Sequence, residues 1–72
     1  MSKNTKDIPA TIKAARIRAG LTQQELGDTL GYENGAARVT VARWETGARP
    51  VPDDRKRALI TALDLTFDDI IP

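Results

Sequence analysis

Apolar positions along the chain recur at helical spacing and are interrupted by glycine and proline, so the pattern divides into short amphipathic helices. Ile8, Ile12 and Ala15 share one face of a first helix over about Ile8–Ala19. Asp7 can cap it, Pro9 sits in its first turn, where a missing N–H costs nothing, and Gly20 supplies a left-handed stop. Thr22-Gln23-Gln24-Glu25 has the form of a capping box and opens a second helix with Leu26 and Leu30 inward and Gly31 at its end. Gly27 within it costs about 1 kcal/mol against alanine, which predicts the close approach of another helix there.

Tyr32–Ala37, with its Asn34-Gly35 turn signal, is predicted to be a loop. A third helix follows over about Arg38–Thr46, stopped by Gly47, with Val41 and Trp44 pointing the same way. Pro50 and Pro52 bracket a turn. A fourth helix over about Asp53–Leu63 buries Leu59, Ala62 and Leu63 and places Asp53 and Asp54 at its positive N-terminus. Thr66-Phe67-Asp68-Asp69 resembles a second capping box and would open a last helical turn whose Phe67, Ile70 and Ile71 close the core. Val39-Thr40-Val41 alternates like a strand but is too short and runs into helical residues. The expectation is an all-α, compact five-helix bundle at residues 8–72, preceded by a flexible segment at 1–7.

Composition narrows the function. A chain of 72 residues buries only about 60% of its unfolded surface, so most apolar residues must serve one core and little is left for a catalytic pocket. There is no cysteine and no histidine, which excludes disulfides, cysteine–histidine metal sites and histidine bases. Met1–Asp7 has no apolar signal core, and no apolar run approaches the roughly 18 residues of a membrane span. A cytoplasmic protein without membrane contact is expected. Net charge is only +1, but residues 1–49 carry eight Lys/Arg against five Asp/Glu, and residues 50–72 three against five. The excess of +3 therefore lies in the front two-thirds, a mild hint of an anionic partner.

Two short helices joined by a tight connection, the second with one apolar and one polar face, form a helix-turn-helix pattern. The residues that fill it are specific. Ile12-Lys13-Ala14-Ala15-Arg16, Gly20-Leu21-Thr22-Gln23-Gln24-Glu25-Leu26, Leu30-Gly31, Val41-Ala42-Arg43-Trp44-Glu45-Thr46-Gly47 and the closing Ala62–Ile71 stretch occur in that order. In these the chain resembles the Cro/CI-type (XRE-type) phage-repressor helix-turn-helix family over nearly all of residues 10–71. The resemblance implies a lambda-repressor-like DNA-binding domain and a prokaryotic or phage transcriptional regulator of repressor type. Two departures stand out: that family usually has about four fewer residues between Gly31 and Val41, and commonly has alanine where Gly27 stands.

The site residues follow from both readings. Gln23 can donate its amide to a phosphate, as the family's glutamine does, or merely support the cap. With Val41 and Trp44 inward, Arg38, Val39, Ala42 and Arg43 share the outer face of the third helix. The arginines can reach guanine edges or phosphates, and Val39 can pack on a thymine methyl. The alternative is a solvated face. Thr40, Arg49 and Lys13 are candidates for phosphate contact, with local back-bonding (Thr40) or loose surface charge (Arg49 and Lys13) as their alternatives. The resemblance implies that Arg16 and Glu45 form a buried structural ion pair. Trp44 is read as core rather than as a stacking platform, and Tyr32 and Phe67 as core or half-core. Asp53-Asp54 and Asp68-Asp69 diverge by about 100° on a helix, so they cap helices rather than hold metal.

No nucleophile with a base, phosphate loop or ligand cluster is present, so no enzyme activity and no cofactor is expected. The expected partner is double-stranded DNA, bound by a homodimer, with the tail near Ile70–Pro72 as a self-association surface. The rival is a protein-binding modulator, antirepressor or antitoxin that engages another regulator through the apolar Ala36, Ala37, Val39 and Ala42.

Overall fold

The computed structural model describes residues 7–33 and 35–65. Its first helix, α1, spans Ile8–Arg18. The Asp7 carboxylate accepts from the Ala10 N–H at 3.1 Å, and Pro9 lies in the first turn, as the sequence predicts. α2 spans Gln23–Thr29 with both halves of the capping box formed: the Glu25 N–H donates to Thr22 Oγ1 at 3.0 Å and the Thr22 N–H to Glu25 Oε1 at 2.8 Å. Gly31, at φ +94°, reverses the chain. Its N–H donates to the Asp28 carbonyl and that of Tyr32 to the Gly27 carbonyl, each at 3.0 Å. This Schellman arrangement satisfies the carbonyls that α2 leaves open.

α3 spans Gly35–Thr46 and α4 spans Asp53–Leu63. Residues Gly35–Ala37, expected in a loop, are the first turn of α3, which therefore begins three residues before Arg38. The reason is tertiary. Ala37 is fully buried and packs against α2 at Gly27, so burial of this alanine outweighs the turn preference of Asn34-Gly35. The extra residues that separate Gly31 from Val41 thus lengthen the helix rather than the turn. The same contact explains Gly27. A Cβ built there would lie 2.5 Å from the Ala37 Cβ and carbonyl oxygen and 2.6 Å from its Cα, so only glycine allows the approach.

The described residues form four helices, not five, and no strand. The fifth helix expected over Thr66–Ile71, with Phe67 and Asp68-Asp69, lies outside the described residues, as do the tail at Ile70–Pro72 and residues 1–6. α3 packs most extensively on α2 and then on α1, and α1 touches α4. Ile12, Ala15, Leu26, Leu30, Val41, Trp44, Leu59 and Leu63 meet in one core, with Ile8 and Ala62 half-buried against it. Val51, which carries no periodic signal, joins them from the loop before α4.

α4 ends on Asp64 at φ +54°, a left-handed conformation that suits glycine. The Leu65 N–H still donates to the Ile60 carbonyl at 2.9 Å. Here a carboxylate also sits at the negative end of the helix. Asp64→Gly is therefore expected to stabilise the domain by about 0.5–1 kcal/mol, raising the melting temperature by a few degrees. An unchanged or lowered melt would show that Asp64 has a compensating role.

Candidate nucleic-acid interface

The α2–α3 pair is fixed by one polar network. The Arg16 guanidinium, from α1, grips Glu45 of α3 with Nε–Oε2 at 2.6 Å and Nη2–Oε1 at 3.2 Å. Its Nη1 donates to the Leu21 carbonyl at 2.8 Å, in the link between α1 and α2. Gln23, the first residue of α2, donates its amide to Glu45 Oε1 at 3.1 Å. The Arg16 and Glu45 side chains are 12% and 3% exposed. One carboxylate thus ties three helices together, and the ion pair implied by the family resemblance is present. Gln23 stands between the network and solvent, with a second amide N–H left for an external acceptor.

α3 turns Ala37, Val41 and Trp44 inward, at 0%, 0% and 2% exposure. Arg38, Val39 and Arg43 are exposed on its outer side and Ala42 is half-buried there. The outer apolar surface expected from Ala36, Ala37, Val39 and Ala42 loses Ala37, which faces α2 because its turn is helical. A cleft of about 350 Å³ runs between α3 and the loop after it, lined by Tyr32, Thr40, Arg43, Arg49, Pro50 and Pro52 among others. It brings the candidate phosphate contacts Thr40 and Arg49 beside Arg43. Lys13 is exposed on α1 and does not line this cleft. Neither Arg38, Arg43 nor Arg49 enters an ion pair among the described residues.

With this geometry in view, the comparison with known families is decisive: the helix-turn-helix domain family matches residues 9–70. The chain belongs to that family. It is a DNA-binding family typical of Cro/CI-like (XRE-type) regulators, and its members are typically non-enzymatic. No curated protein and no solved structure gives a match to the chain. Within the helix-turn-helix domain, α2 and α3 are the paired helices, and the residues that lengthen α3 form its first turn.

The turn has a further support that sequence reasoning missed. Arg55, in the first turn of α4, donates from Nη1 to the Leu30 carbonyl at 2.9 Å. Its guanidinium carbon lies 4.6 Å from the centre of the Tyr32 ring. Tyr32 in turn meets Trp44 edge-to-face, at 5.9 Å and 70°. Arg55 is thereby committed to holding the α2–α3 turn. The available signal was indirect: the last carbonyls of α2 need donors, but nothing in the spacing points to a residue 25 positions away. Asp53 pairs with Lys56 at 3.1 Å, and with Asp54 it occupies the first turn of α4, as a helix end requires. Among the described residues no acidic cluster can hold a metal, and no helix is long and apolar enough to cross a membrane.

Proposed function

We propose that this helix-turn-helix domain, within residues 8–72, is a sequence-specific DNA-binding regulator of repressor type acting in the cytoplasm. α3 enters the major groove and α2 lies across the backbone. The observation that carries this reading is the burial of Val41 and Trp44, which leaves Arg38, Val39, Ala42 and Arg43 on the outer side of a helix without acidic partners for its arginines. Arg38 and Arg43 reach guanine edges. Gln23, Thr40, Arg49 and Lys13 meet phosphates. A single module spans few base pairs, so a homodimer on a two-fold-related site is part of the proposal.

A mobility-shift assay with random-sequence duplexes over a salt series tests it. Each cation that meets a phosphate adds about −0.9 to the slope of log binding constant against log salt. Steep salt dependence with one sequence preferred supports the proposal. Arg38→Ala is expected to relax preference at one base position, at a cost of about 1–3 kcal/mol there, while Arg49→Ala weakens all sequences alike and lowers the slope by about 1. Equal effects of the two would refute this sorting of base from phosphate contacts. A second reading is supported by the exposed Ala36 and Val39 on the same face: a module that binds a partner regulator. Absence of any duplex binding at low salt would select it.

A further inference from the structure

The segment between α3 and α4 has a cavity on each side, and Arg49 borders both. On one side is the cleft with Thr40 and Arg43. On the other is a groove of about 310 Å³ between the start of α1 and the start of α4. Trp44 and Val51, both buried, and the half-buried Ile8 and Pro9 give it apolar walls. Its charged lining residues are Arg49 and Lys56, with no carboxylate among them. Lys56 lays its stem against the protein, with the side chain 23% exposed, and its ammonium meets Asp53 at 3.1 Å. Asp53 is 96% exposed, so that pair contributes little and an arriving anion can replace it. The Arg49 N–H is anchored on the Arg43 carbonyl at 3.3 Å, while its side chain is exposed and in no ion pair among the described residues. An apolar floor beneath two cations complements a molecule with an apolar body and one negative end.

We propose that this groove binds a small monocarboxylate with a short apolar body, its carboxylate held by Lys56 and Arg49, and that occupancy weakens DNA binding. The second part rests on the proposed function, in which Arg49 meets a phosphate. A guanidinium engaged by the ligand is withdrawn from the DNA backbone, so ligand and duplex compete for one cation. The duplex must then lower the affinity for the carboxylate by the same factor. The site itself needs no DNA.

Trp44 is the chain's one tryptophan, so its fluorescence reports occupancy in the full chain. Butanoate, hexanoate and octanoate are the probes, with hexanamide and inorganic phosphate as controls. Saturable binding is expected at about 0.1–1 mM for the best of them. Affinity should rise about 3–4-fold per added methylene until the groove is filled. Hexanamide lacks the charge and phosphate lacks the apolar body, so each should bind about 10-fold or more weaker than hexanoate. Lys56→Gln should lose about 10-fold in carboxylate affinity while keeping its melt and its affinity for DNA. In a mobility shift at about 0.1 M salt, saturating octanoate should cost the wild type about 8-fold in duplex affinity, the contribution of one phosphate contact.

No saturable change in Trp44 fluorescence, or equal binding of hexanoate and hexanamide, would overturn the site. Saturable binding that leaves duplex affinity unchanged would overturn the competition and leave DNA recognition intact. A chain that binds no duplex would remove the proposed function, and the fluorescence titration would still decide the carboxylate site.

Discussion

Glu45→Ala is expected to cost about 3–5 kcal/mol, the penalty of leaving a buried charge without its partner. A domain of this size has on the order of 4–11 kcal/mol in all, so the variant should melt well below the wild type or fail to fold at 37 °C. The magnitude follows from geometry: the Arg16 guanidinium is 12% exposed and loses both of its bonds to Glu45, while the Gln23 amide loses its acceptor. The surface pair Asp53–Lys56, with the aspartate 96% exposed, has no such leverage. The double variant Arg16→Met/Glu45→Leu should recover part of the loss, since it removes the stranded charge along with the bond. Thermal melts of the three proteins check this. A Glu45→Ala melt within a degree or two of wild type would show that the network does not hold the helices.

Gly27→Ala is expected to destabilise by about 1–3 kcal/mol although alanine is the better helix former. On propensity alone the substitution gains about 1 kcal/mol. The added Cβ, however, would lie 2.5 Å from the Ala37 carbonyl oxygen and 2.6 Å from its Cα, and neither is a movable side-chain end. α2 and α3 would have to separate, disturbing the pairing that sets the outer face of α3. Ala37→Gly in the same chain should not restore stability, because the backbone atoms remain in the way. Denaturant melts read both variants. A Gly27→Ala protein more stable than wild type would mean that α3 does not press on α2 in the way described.

How much was legible in the sequence depends on whether the signal was local. Helix starts and stops were readable because they are short-range chemistry: Asp7 and the Thr22–Glu25 box at the N-termini, Gly20, Gly31 and Gly47 at positive φ past the C-termini. Inward residues were readable because period and size agree, as at Ile12, Leu26, Val41 and Trp44. The start of α3 was misread because its determinant, Ala37 against Gly27, is a contact between helices, and the local Asn34-Gly35 pair argues for a turn. The insertion and Gly27 meet in the structure: α3 starts at Gly35, and its Ala37 presses on α2 where only a glycine leaves room. Val51 and Arg55 were not read as supports because neither lies in a periodic stripe. Their roles follow from the chain's return across the core and the α2–α3 turn. For the site, the outward set Arg38, Val39, Ala42 and Arg43 follows from Val41 and Trp44 being core. The bond from Gln23 to Glu45 does not, since it spans 22 positions.

The map of backbone amide shifts on titrating the chain with its selected duplex shows which face of the domain meets DNA. Perturbations are expected to concentrate at Gln23 and along Arg38, Val39, Ala42 and Arg43, extending to Thr40 and Arg49. A map centred instead on the outward face of α1 around Ile17, or on α4, would contradict the proposed placement of α3.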